Sequence, residues 1–177
     1  MDKVVETIAR LKDITINERE LINDWILITY DIPVTEEGKI ARSKFLKNAP
    51  KIGAMMHSRS VYLMPNTQQS QLAAVELSAT VGGEVYVWTS KVEDNKAKKI
   101  TKFYDESIIK QINYLLNRIQ KEEQLTLNGK HGMADRMQRK SANLYKQLLF
   151  AAAQRGVSKE VVNKLALIEA KLFGTLE

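Results

Sequence analysis

The chain alternates between short apolar runs and longer segments with helical spacing. Trp25-Ile-Leu-Ile-Thr-Tyr30 is apolar, β-branched and aromatic, and Asp31-Ile-Pro33 stops it. Apolar side chains on both faces predict a central strand. Thr35-Glu-Glu opens a helix with acids in its first turn, where the helix dipole favours them. Ala41, Phe45, Ala49 and Ile52 recur on one face of it, and Lys39, Arg42, Lys47 and Lys51 occupy the other. Pro50 and Gly53 end the element. Residues 54–57 and 60–64, with Ser58-Arg59 between them and Pro65-Asn66 behind, predict a β-hairpin. Residues 67–81 predict a second helix with Leu72, Val75 and Ala79 inward and Gly82-Gly83 as its C-cap. Residues 84–88 predict a last strand.

The order is β-α-β-β-α-β, the split βαβ of a ferredoxin-like sheet with two helices on one face. The short connections suit it. Before it, Val4, Val5, Ile8 and Leu11 predict a short helix, and the capping-box form of Thr15-Ile-Asn-Glu18 predicts a second one running up to Trp25. After it, Ile108, Ile112, Leu115 and Ile119 stripe a helix within 105–125. Residues 125–132, with Asn128-Gly129 and His131-Gly132, predict a loop. Met137, Leu144, Leu148 and Ala152 stripe a further helix ended by Gly156. Ser158-Lys-Glu-Val161 caps the last one, with Val161, Leu165, Ile168 and Leu172 inward. The fold class is therefore α+β: a helical leader over 1–24, a ferredoxin-like domain over 25–92, and a helical extension over 93–177 ending in a helical hairpin.

Composition narrows the chemistry. The 177 residues suit one domain with an appendage. No cysteine is present, which removes thiol nucleophiles, iron–sulfur clusters, zinc fingers and disulfides together. His57 and His131 alone leave little for a histidine-based metal site. No apolar run could span a bilayer, and residues 1–14 mix acids with bases and lack an apolar core. A soluble cytoplasmic protein with no membrane partner is expected. Charge is uneven: residues 1–95 carry 11 basic and 13 acidic side chains, residues 96–140 carry 11 and 5. That asymmetry suits a polyanion partner such as nucleic acid.

The segment Trp25-Ile-Leu-Ile-Thr-Tyr-Asp-Ile-Pro33, the basic helix after it, Gly53, Ser60-Val-Tyr-Leu-Met-Pro65 and Gly82-Gly83-Glu84 resemble the N-terminal domain of the chromate-resistance regulator ChrB. The similarity runs on through Lys102-Phe-Tyr-Asp-Glu-Ser107 and the helix of Ile112–Ile119, and so covers about residues 25–120. It implies a ferredoxin-like fold, related to the CRISPR-associated endonucleases of the second Cas family and to part of the phenylacetate repressor PaaX. It also implies a role in chromate-responsive transcription control, and the first functional expectation is a non-enzymatic regulator that binds DNA as a homodimer. The leader and the helical hairpin after residue 132 lie outside that pattern.

Several residues are candidates for chemistry. Tyr30-Asp31 resembles the Tyr-Asp segment of the CRISPR nucleases, which implies that Asp31 from each of two subunits holds Mg²⁺ or Mn²⁺ for phosphodiester cleavage. The commoner role of such an aspartate is to cap the turn before a helix, and outside this nuclease alternative no cofactor is expected. His57 and Arg59 at the hairpin are a candidate oxyanion pair, or plain turn solvation. Lys39, Arg42, Lys47 and Lys51 on one helix are candidate phosphate contacts, as are Lys96, Lys98, Lys99 and Lys102, and Arg136, Arg139 and Lys140. Ala152, Gly156, Val157, Val162 and Leu165 have helix-turn-helix spacing, which would turn Lys159, Asn163 and Lys164 toward DNA. Helical packing or dimerisation gives the same spacing, so a protein-interaction module stays open beside the regulator and the nuclease.

Overall fold

The computed structural model describes residues 21–81 and 84–174. It is α+β, with a four-stranded antiparallel sheet and five α-helices among the described residues. In chain order the elements are β1 (Asp24–Asp31), α1 (Glu36–Asn48), a 3₁₀ turn (Ala49–Ile52), β2 (Met55–Ser58), β3 (Val61–Pro65), α2 (Gln68–Val81), β4 (Glu84–Lys91), α3 (Asp94–Leu127), α4 (His131–Arg155) and α5 (Lys159–Phe173). Among the described residues two compact units divide inside α3, one spanning residues 21–105 and the other 106–174.

The first unit is the sheet, in the order β2-β3-β1-β4. β1 pairs with β3 through Ile26↔Met64 and Ile28↔Tyr62, and with β4 through Leu27↔Trp88 and Thr29↔Tyr86. Residues directly opposite in an antiparallel pair share a face. Ile26, Ile28, Tyr62 and Met64 therefore form one side, and Phe45 of α1 sits against it, 5.0 Å from the Tyr62 ring and 4.6 Å from that of Tyr30. Ser78 of α2 donates to the Val85 carbonyl (3.0 Å), tying that helix to β4. On the opposite side, Trp25 is fully buried edge-on against Tyr104 at the start of α3 (5.7 Å), and the Tyr104 hydroxyl donates to the Gly53 carbonyl (2.7 Å). Gly53 itself ends the 3₁₀ turn at φ 76°, which favours glycine.

In the second unit, Ile112, Leu115 and Ile119 of α3, Leu148 and Ala152 of α4, and Leu165 and Ile168 of α5 are buried. Lys171 pairs with Glu123 (2.6 Å), and the Tyr145 hydroxyl donates to Glu169. Gly156 turns α4 into α5, its N–H bonding to the Ala152 carbonyl (2.8 Å).

Several expectations change. The buried face of α2 is Ser70, Ala74, Leu77 and Val81, while Leu72 and Val75 are exposed at 62% and 60% and Ala79 is exposed too. The apolar residues of this helix fall on two faces, and the packed one carries Ala74, Leu77 and Val81. The helix predicted up to Trp25 does not reach it, because β1 begins at Asp24; the rest of the leader, and the Gly82-Gly83 cap, lie outside the described residues. The loop shrinks to residues 128–130, because Gly129 at φ 71° turns the chain at once and His131-Gly132 already belong to α4. The α4 stripe rotates: Met137 and Leu144 are half-buried, and Tyr145 takes the inward position.

Candidate nucleic-acid interface

Helix α1 starts where Thr35 accepts a hydrogen bond from the Gly38 N–H (3.1 Å) and Glu36 and Glu37 meet the positive dipole end. Its buried stripe is set by Phe45, so the opposite face is exposed. Lys39, Lys44 and Lys47 line an open recess of about 370 Å³ there, with Ile40, Ser43 and Glu36, whose carboxylate pairs with Lys39 (2.5 Å). The positions recur at three- and four-residue steps, so helix geometry gathers them on one face. Lys51 follows beyond the helix, donating to Asn48 (2.7 Å). Lys44 is the member that the sequence pattern did not single out. Arg42 leaves the set: its Nη2 donates to the Ile32 carbonyl (2.9 Å) and its Nε is buried, so it braces the turn between β1 and α1.

Lys98, Lys99 and Lys102 are exposed on the first turns of α3, and Lys96 lies 4.0 Å from Glu93. Both lysine groups belong to the sheet unit. Arg136, Arg139 and Lys140 are exposed on α4, in the other unit. On α5, Lys159 and Asn163 are exposed, whereas Lys164 is paired with Glu160 (2.8 Å). That hydrogen bond and charge hold the Glu160 carboxyl below the ordinary glutamate range.

Asp31 is exposed at the end of β1, in register with Glu84. Asp24 lies at the other end of the same strand. Among the described residues no three His, Asp or Glu side chains group as a metal site. His57 packs edge-on against Phe103 (5.0 Å), and the Arg59 carbonyl accepts from the Tyr30 hydroxyl (2.8 Å). Both residues are exposed.

The sheet carries a feature that the sequence reading passed over. Tyr86 and Trp88 are 45% and 56% exposed on the side of β4 away from Val85 and Val87. Their ring centroids are 6.3 Å apart at 31°, and the Trp88 indole N–H donates to Thr29 on β1 (3.2 Å). The i, i+2 spacing of the two aromatics in a strand was the available signal. Exposed rings of this kind can stack on nucleobases.

Compared with protein-family models, curated proteins and solved structures, the chain significantly matches none. No helix among the described residues is long and apolar enough to cross a membrane.

Proposed function

We propose that the chain is a nucleic-acid-binding regulator that acts by binding alone, as a homodimer, on a ferredoxin-like domain. The strand order β2-β3-β1-β4 within β-α-β-β-α-β supports that fold reading. The observation that carries the function is the exposed row of Lys39, Lys44 and Lys47 along α1, with Lys51 behind it. Such a row supplies affinity for phosphates that is largely independent of sequence and falls with salt. The proposal does not extend to chromate, for which nothing beyond the resemblance speaks: His57 packs edge-on against Phe103.

The test is binding of labelled duplex DNA and single-stranded RNA to the full chain across a salt series, with and without Mn²⁺, followed by a denaturing gel. Intact nucleic acid, bound with a steep salt slope, is the expected result. Absence of binding at low salt overturns the reading and leaves an interaction module. Metal-dependent fragments that vanish in Asp31→Ala overturn it in favour of the nuclease, which the exposed strand-end position of Asp31 permits.

A further inference from the structure

Between α3 and α4 lies a second open recess, of about 330 Å³, wholly within the helical unit. Arg118 and Leu125 line it from α3, and Met133, Arg136, Met137 and Lys140 line it from α4. The four α4 residues follow an i, i+3, i+4, i+7 pattern, so one helix face presents them all. The lining holds three cations and no carboxylate. Its size is at the small end of the range for small-molecule sites.

Arg118 is held in place. Its guanidinium donates to the Met137 carbonyl (3.3 Å), the Ser141 hydroxyl (3.4 Å) and the Tyr114 hydroxyl (3.4 Å), and sits 5.8 Å from the Tyr114 ring centre. An arginine has five N–H donors, so two remain. Glu122, one turn along α3, interacts with Arg118 and offsets part of its charge. Arg136 and Lys140 form no ion pair among the described residues. The remaining wall is apolar and adaptable: Leu125 and Met137 are half-buried, and Met133 is 58% exposed at the mouth.

This pairing of cations with an apolar wall selects a ligand class. A bare inorganic anion would leave the methionines in water. A neutral apolar molecule would leave the cations unmatched. A phosphodiester backbone would use the cations alone. We propose that the recess between α3 and α4 binds a small organic anion, with a carboxylate, sulfonate or phosphate head and an apolar body. The head lies on Arg136, Lys140 and the spare donors of Arg118, and the body on Met133, Met137 and Leu125. The site is independent of the nucleic-acid reading, which rests on α1.

The probe is 1-anilinonaphthalene-8-sulfonate, an anion with an aromatic body that fluoresces on leaving water, titrated into the full chain. One saturable site is expected. In Arg136→Ala/Lys140→Ala the dissociation constant should rise by about tenfold or more. The circular dichroism and melting of that variant should be unchanged, since both side chains are exposed. The uncharged twin, N-phenyl-1-naphthylamine, should bind about tenfold more weakly. Lys39→Ala/Lys44→Ala/Lys47→Ala should bind the probe normally. Absence of a saturable site overturns the proposal, as does equal affinity in the α4 double variant or for the uncharged twin. DNA that displaces the probe, with DNA affinity falling as far as probe affinity in the double variant, assigns the basic pair to nucleic acid and overturns it too.

Discussion

Gly38 shows how one atom decides a residue. It lies in the first turn of α1, where alanine is ordinarily the better helix former by about 1 kcal/mol. A Cβ built there would meet the Pro33 carbonyl oxygen at 1.9 Å. The turn after β1 would have to move, and the Arg42 bond to Ile32 with it. Gly38→Ala should therefore lower stability by about 2 kcal/mol or more in urea unfolding; unchanged or increased stability would show that the turn yields freely. Glu122 is the second case. Burial raises its carboxyl above the ordinary glutamate value, against the lowering pull of Arg118 and the Ser141 hydrogen bond. The folded chain then holds that proton longer than the unfolded chain does. Stability therefore declines as pH climbs from 4.5, the ordinary value, through the raised one. Glu122→Gln should flatten the decline, read from urea midpoints at the two ends of that window. An identical decline in the variant would refute the assignment.

At the scale of elements, β4 and α1 carry the exposed chemistry of the sheet unit. β4 places valines against the helices and aromatics outward, because strand side chains alternate. If nucleobases stack there, Trp88→Ala should weaken single-stranded RNA binding by about 1–3 kcal/mol while leaving duplex binding nearly unchanged. Equal losses for both would point to a general disturbance of the sheet, whose cross-strand bond from Trp88 to Thr29 is also removed. The candidate site was only partly legible in the sequence. Lys39 and Lys47 were readable from helical spacing, because exposed positions repeat with the same period as buried ones, whereas Lys51 lies past the end of α1 in the 3₁₀ turn. Arg42 was not, because its long side chain folds back to a carbonyl ten residues earlier. The α2 stripe misled for a related reason: periodicity gives a direction around the helix, and only the neighbours choose between two apolar directions.

Across the whole molecule, charge is divided unevenly. Residues 106–174 carry 12 basic and 6 acidic side chains, whereas residues 21–105 carry 11 and 9. Net charge alone would therefore direct a polyanion to the helical unit, while the compact lysine row lies on the sheet unit. Salt dependence separates the two. Lys39→Ala/Lys44→Ala/Lys47→Ala should reduce the slope of log affinity against log salt by about 3 if each lysine neutralises one phosphate. A full wild-type slope in that variant would move the interface off α1.

Among the described residues, local pattern alone determined the element order, the strand positions to within a few residues, and the inward stripes of α3 and α5, because these depend on side-chain period and turn chemistry. It likewise determined the absence of cysteine chemistry and the concentration of positive charge after residue 95. Tertiary structure decided the rest. It chose which apolar face of α2 is buried, gave the first turns of α3 to the sheet through Tyr104 and Gly53, and drew Arg42 away from solvent. It also brought Arg118 to Arg136 and Lys140 around one recess. Each of those outcomes joins residues distant along the chain. Whether such groups meet is settled by the packing of the elements that carry them, which no local period encodes.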